Sequence, residues 1–168
     1  MDADSLRALQ APLKEHYRAE PESALITLRA EGDVDNASIA CKVETGRALV
    51  IAGLHPATGG TGLEACSGDM LLEALVACAG VTLKAVATAI GVDLRSGPVR
   101  AEGDLDFRGT LGVDREAPVG FRAIRLSFDI ESDAPQEKID QLLKLTERYC
   151  VVFQTLAKPP VLSVSRLN

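Results

Sequence analysis

The chain lacks an excess of basic residues: 18 Lys plus Arg stand against 24 Asp plus Glu, a net charge of −6. A protein that neutralises phosphates along a nucleic acid needs the opposite sign, so no nucleic-acid partner is expected. C-x-x-C pairs are also missing. The four cysteines, Cys41, Cys66, Cys78 and Cys150, are widely spaced, and only His16 and His55 could join them as soft ligands, so no metal site is expected. No apolar run reaches the roughly 18 charge-free residues of a membrane span. The stretch around Cys78 comes nearest, and Glu73 and Lys84 interrupt it, so no membrane association is expected. The first residues, MDADSLRALQAPLKEHY, have no basic n-region leading into an apolar one, which points to the cytoplasm. In such a reducing compartment scattered thiols are core fillers or reactive groups rather than a disulfide framework. Neither GxxxxGK[ST] nor GxGxxG occurs, so the Gly-rich stretch 53–68 carries no nucleotide signature.

What is present is ordinary globular material: 168 residues, 46% hydrophobic and 25% charged, enough for one domain that buries roughly two-thirds of its unfolded surface. Leu6, Leu9, Leu13 and Tyr17 recur at helical spacing, with Pro12 as an expected break, so residues 1–22 read as a helical extension before a domain at 23–168. Residues 24–30, 37–43 and 48–53 are β-branched segments separated by EGDVDN and ETGR, the pattern of a three-stranded antiparallel meander. Cys41 alternates there with Ile39 and Val43 and reads as packing. The loop 53–68 reads as a flexible connection or lid, with His55 on its surface. Ser67 as N-cap, Asp69 at the positive end of the dipole and Gly91 just past the end frame a helix over about 68–90 that is apolar nearly all round. Two alternating segments, 99–108 and 121–131, read as a second antiparallel pair. Asp133 and Gln136 resemble a capping box for a helix reaching about Tyr149, and 161–167 reads as a last strand after Pro159-Pro160. The order α-βββ-α-ββ-α-β is that of an α+β fold with two long helices.

One cysteine inside each long helical region, in GDMLLEALVAC and ERYCVV, completes a pattern that resembles the OsmC/Ohr family, the osmotically inducible protein C and organic hydroperoxide resistance proteins. The resemblance covers roughly residues 24–167. It implies an intertwined homodimer in which two long central helices pack against antiparallel sheets, with sites at the subunit interface. It also implies thiol-dependent reduction of organic hydroperoxides in oxidative-stress defence, with Cys78 as the reacting cysteine and Cys150 as the resolving one. No cofactor is then needed beyond an external dithiol reductant. Were the roles so, the helices would cross near both cysteines, because a disulfide needs Cα atoms about 4.4–6.8 Å apart.

The chain departs from the family pattern at the groups that would activate the thiol. Ten residues before Cys78, where the family has Glu, stands Gly68, and Asp69 is one position out of register. EGDVDN holds no basic residue where the family Arg would lie, which leaves Arg29 and Arg47 as candidates. Val151 replaces the proline of the family's Cys-Pro-Val. Cys66, just before the long helix, reads as an incidental thiol or an alternative resolving partner. Two non-catalytic readings stand beside the enzyme: a small-ligand-binding protein on the same fold, and a redox sensor.

Overall fold

A computed structural model of the chain describes residues 3–34, 41–43 and 52–166, and of 3–7, 28–34 and 41–43 it describes the backbone alone. Its frame is a four-stranded antiparallel sheet in the order β2-β1-β5-β6, built from β1 (Leu25–Val34), β2 (Cys41–Val43), β5 (Pro98–Asp106) and β6 (Ala123–Phe128). β1 and β5 are the long central pair, in register from Leu25 opposite Asp106 to Asp33 opposite Pro98. Val99, Ala101 and Leu105 alternate along β5 on the buried face, and the helix α2 (Ser67–Ile90) lies against β5 and β1. Its Leu72, Leu75, Val76, Ala79 and Leu83 are buried with those strand residues in one core, each large side chain stabilising the fold by about 1.5–3 kcal/mol. The one-turn helix α3 (Phe107–Thr110) follows β5, and α4 (Gln136–Tyr149) and α5 (Val151–Ala157) pack on α2. The mixed architecture and antiparallel sheet agree with the sequence-based fold class, but residues 161–166, read from the sequence as most of a last strand, form no strand in the structure.

Several elements differ from expectation, each for a local reason. β1 continues to Val34, because pairing with β5 and with β2 carries the chain through the first four residues of EGDVDN. The third meander strand survives, among the described residues, as β3 (Ala52–Gly53), which pairs in parallel with β4 (Ala65–Cys66) in a separate small sheet. The loop between β3 and β4 is ordered by its own hydrogen bonds: His55 Nδ1 accepts from the Ala57 N–H at 3.0 Å, and the Thr58 hydroxyl donates to the His55 carbonyl at 2.9 Å. His55 also stacks on Phe107, with ring centroids 4.8 Å apart, so it is a structural pin more than a surface group. The expectation for Cys41 and those for 35–40 and 44–51 lie outside the described residues or side chains.

Pro12 does not break α1 (Ala3–Ala19). That helix docks on the His55 turn through the Tyr17 hydroxyl, which donates to the Ala57 carbonyl at 2.8 Å, and through Gln10, which donates to the Thr58 carbonyl at 3.1 Å. Cys66, not Ser67, is the N-cap of α2, and its side chain makes no capping bond. Gly91 does end the helix, at φ 69°, where its missing Cβ admits the left-handed turn. α4 begins after Pro135 without the expected capping box, because Asp133 is engaged by Arg95 instead. α2 is not covered all round: Met70, Leu71 and Val81 are more than a third exposed. Among the described helices it is long and apolar enough to cross a membrane, while its inner side is packed on the sheet.

Candidate active site

Cys78 lies midway along α2, one turn beyond Leu75. Cys150 lies at the elbow between α4 and α5: its N–H closes α4 on the Thr146 carbonyl at 2.9 Å, and its carbonyl opens α5 by accepting from Gln154 at 2.9 Å. With φ −71° and ψ 108° it is an N-cap residue, and its sulfur accepts the Phe153 N–H at 3.5 Å. α5 thus starts without the family proline, since the cysteine itself supplies the cap. Cys150 is fully buried, whereas Cys78 is half-buried.

The packing of α5 on α2 puts the two thiols within hydrogen-bond reach of each other, and their environments push their pKa values apart. Burial works against ionisation of Cys78, but the Val152 N–H, the Cys150 thiol and the Val151 N–H all donate to it, and the balance holds it below the ordinary thiol value. The Thr82 hydroxyl donates to the Cys78 carbonyl at 2.7 Å. For Cys150, burial dominates and the neighbouring Cys78 disfavours a second negative charge, so its thiol is pushed up to about 11. The arrangement can therefore hold one proton between two sulfurs, with Cys78 the thiolate and Cys150 the donor.

The expected supporting residues fall elsewhere. Asp69 is in the first turn of α2, about two and a half turns before Cys78. Burial raises its pKa, and the ionisable side chain near it is His55 rather than an arginine. Arg29 is placed in β1 opposite Glu102, but its side chain, like all of Arg47, lies outside the described residues. Cys66 is half-buried at the start of α2, in a separate pocket with His55, Phe107 and Phe121. Among the described residues no group of His, Cys, Asp or Glu is arranged to hold a metal ion. Sequence reasoning missed the Val151 and Val152 amides, because a backbone donor leaves no side-chain signature. The available signal was Cys150 directly preceding an apolar helical run, the position of an N-cap.

It also did not locate an apolar groove of about 500 Å³ between α2, β6 and α5, walled by Leu71, Leu75, Phe121, Leu126, Phe153 and Leu156, with Arg122 on its rim. Gly103 makes room for it: a Cβ at that position would collide with the Phe121 ring. Leu75 and Phe153, each three residues from one of the cysteines, tie this groove to the sulfur pair.

A protein-family model described as "OsmC-like protein" matches residues 60–165, a span that holds both cysteines, the groove and the α4–α5 elbow. No curated protein matches the chain. Among solved structures the fold is similar to an OsmC-like protein from Mycoplasma pneumoniae, at TM-score 0.56 and 16% identity over 80% of this chain and 86% of that one. It is similar also to an OsmC-like hydroperoxide resistance protein from Jannaschia sp. CCS1, at TM-score 0.57 and 15% identity over 83% of this chain and 91% of that one. With the family match extending over more than half of its length, the chain belongs to the OsmC-like family.

Proposed function

We propose that the protein is a thiol-dependent peroxidase that reduces organic hydroperoxides with Cys78 and Cys150. The observation that carries this reading is the hydrogen-bonded sulfur pair, in which a thiol held low is set against one pushed up to about 11. The Cys78 thiolate attacks the terminal peroxide oxygen, the O–O bond breaks, and the alkoxide leaves as alcohol after taking a proton. Cys78 is then a sulfenic acid. The Cys150 sulfur displaces its hydroxyl, which leaves as water, and a Cys78–Cys150 disulfide forms. An external dithiol reduces that bond by exchange and becomes a disulfide itself. No metal or organic cofactor enters any step.

The groove beside the pair, walled mainly by apolar side chains, suits an apolar R group. The hydroperoxide resistance protein among the structural neighbours is consistent with the same chemistry. The protein acts in the cytoplasm, where its thiols stay reduced between turnovers, and it is a homodimer, which covers the exposed Met70, Leu71 and Val81 of α2. Steady-state consumption of an organic hydroperoxide with excess dithiol tests the reading. The wild-type chain turns over; Cys78→Ser abolishes consumption, and Cys150→Ser completes one turnover and stalls. Stoichiometric oxidation without turnover would instead make the chain a redox sensor, and no oxidation a ligand-binding protein.

A further inference from the structure

Thr82 and Thr88 of α2 use their hydroxyls as helical threonines do, donating to the carbonyl one turn back: Thr82 to Cys78 at 2.7 Å, Thr88 to Lys84 at 2.9 Å. Thr146 of α4 does not. It is fully buried, and its hydroxyl is the one buried side-chain oxygen or nitrogen without a partner among the described residues. A hydroxyl orphaned in a dry interface destabilises the fold and calls for a reason.

Its place in the fold supplies one. Lys138 Nζ donates to the Ile90 carbonyl at 3.1 Å, where α4 begins and α2 ends, and Cys150 meets Cys78 just past the end of α4. The two packed helices therefore run in opposite directions, and Thr146 falls level with Thr82. Each threonine is one turn from a cysteine of the pair: Thr82 from Cys78, and Thr146, whose carbonyl accepts the Cys150 N–H at 2.9 Å, from Cys150. The Thr82 hydroxyl is also within hydrogen-bond reach of the Cys78 sulfur. Should that hydroxyl turn away from the Cys78 carbonyl, the carbonyl keeps its place in the α2 ladder.

The peroxide step brings a new polar atom to this interface. When the Cys78 thiolate attacks, an S–O bond forms as the O–O bond breaks; the sulfur is oxidised, the peroxide is reduced to the alcohol, and Cys78 carries an oxygen. The Val151 and Val152 amides and the Cys150 thiol serve the sulfur itself. We propose that Thr82 and Thr146 receive the oxygen, their hydroxyls holding the Cys78 sulfenic acid with its S–O bond turned along the helices and away from Cys150. The Cys150 sulfur then meets Cys78 on a side clear of the bond that must break. The S–S bond forms as the S–O bond breaks, and the hydroxide leaves with the Cys150 proton as water. Thr146 is unpaired in the reduced chain because its partner arrives with the intermediate. The inference rests on the peroxidase reading, which supplies the oxygen.

The test uses the full chain with Cys150→Ser, which stops at the Cys78 sulfenic acid. It receives one equivalent of cumene hydroperoxide and then an excess, and the sulfenic acid is trapped with dimedone at timed intervals and read by peptide mass spectrometry. Adding Thr146→Val should speed its loss to the sulfinic acid about tenfold, the worth of one hydrogen bond to an ionised oxygen, and Thr146→Ser in its place should restore the parent lifetime. With Cys150 intact, Thr146→Val should slow disulfide closure by about as much while the reduced fold becomes more stable, a combination that loss of a merely structural group would not give. Thr88→Val, which removes a comparable hydroxyl near the far end of α2, should change neither rate. Equal sulfenic-acid lifetimes with and without Thr146→Val would overturn the proposal and leave the peroxidase reading standing. A parent chain in which Cys78 forms no sulfenic acid would overturn that reading and this inference with it.

Discussion

At the scale of single residues, the chemistry depends on which sulfur carries the proton. A thiol with a lowered pKa has more thiolate at any given pH, and the thiolate is the nucleophile. Cys78 should therefore be alkylated by iodoacetamide at neutral pH, while Cys150 stays protonated until the pH nears 11 and is modified far more slowly, as peptide mass spectrometry will read. Val151 offers a sharper test. In the family pattern a proline stands at this position, and proline has no N–H to give. Val151→Pro keeps the first position of α5 compatible with a helix but removes one donor to Cys78, so the apparent pKa of Cys78, followed by thiolate absorbance, should rise by about one unit. Thr146, one turn before Cys150, is fully buried, and its hydroxyl finds no partner among the described residues. Thr146→Val replaces that hydroxyl with a methyl of similar size and should stabilise the protein by about 1 kcal/mol in a denaturant melt.

At the scale of elements, the sequence made the sulfur pair easy to anticipate and the groove hard. The apolar helix around Cys78 and the alternating runs of β5 and β6 carry their own periodicity, and Gly91 marks the helix end by a conformational need that few residues meet. The caps at Ser67 and Asp133 misled because a capping pattern says nothing of competitors, and Arg95 takes Asp133 out of α4. β3 and β4 were illegible as a pair, since two-residue strands have no period to detect. The groove is assembled from α2, the approach to β6, β6 itself and α5, and no one stretch of sequence records that meeting. Its dimensions hang on Gly103 under the Phe121 ring. Gly103→Ala should cost about 1–3 kcal/mol by overpacking, and because Phe121 must swing, it should raise KM for bulky apolar hydroperoxides more than it lowers kcat.

At the scale of the whole molecule, the elbow between α4 and α5 brings Cys150 and two amides to the middle of α2. In the proposed mechanism, a helix position that would otherwise hold a small hydrophobe becomes a reactive sulfur through that contact. Packing alone could put two thiols side by side, but it would not require them to join when one meets a peroxide. The most direct measurement is therefore non-reducing peptide mapping of the full chain after one equivalent of an organic hydroperoxide. A single disulfide linking the Cys78 and Cys150 peptides, formed within the mixing time and reversed by a dithiol, is the predicted result. Unmodified Cys78, or oxidation that ends at Cys66 or Cys41 and leaves the pair reduced, would contradict the account.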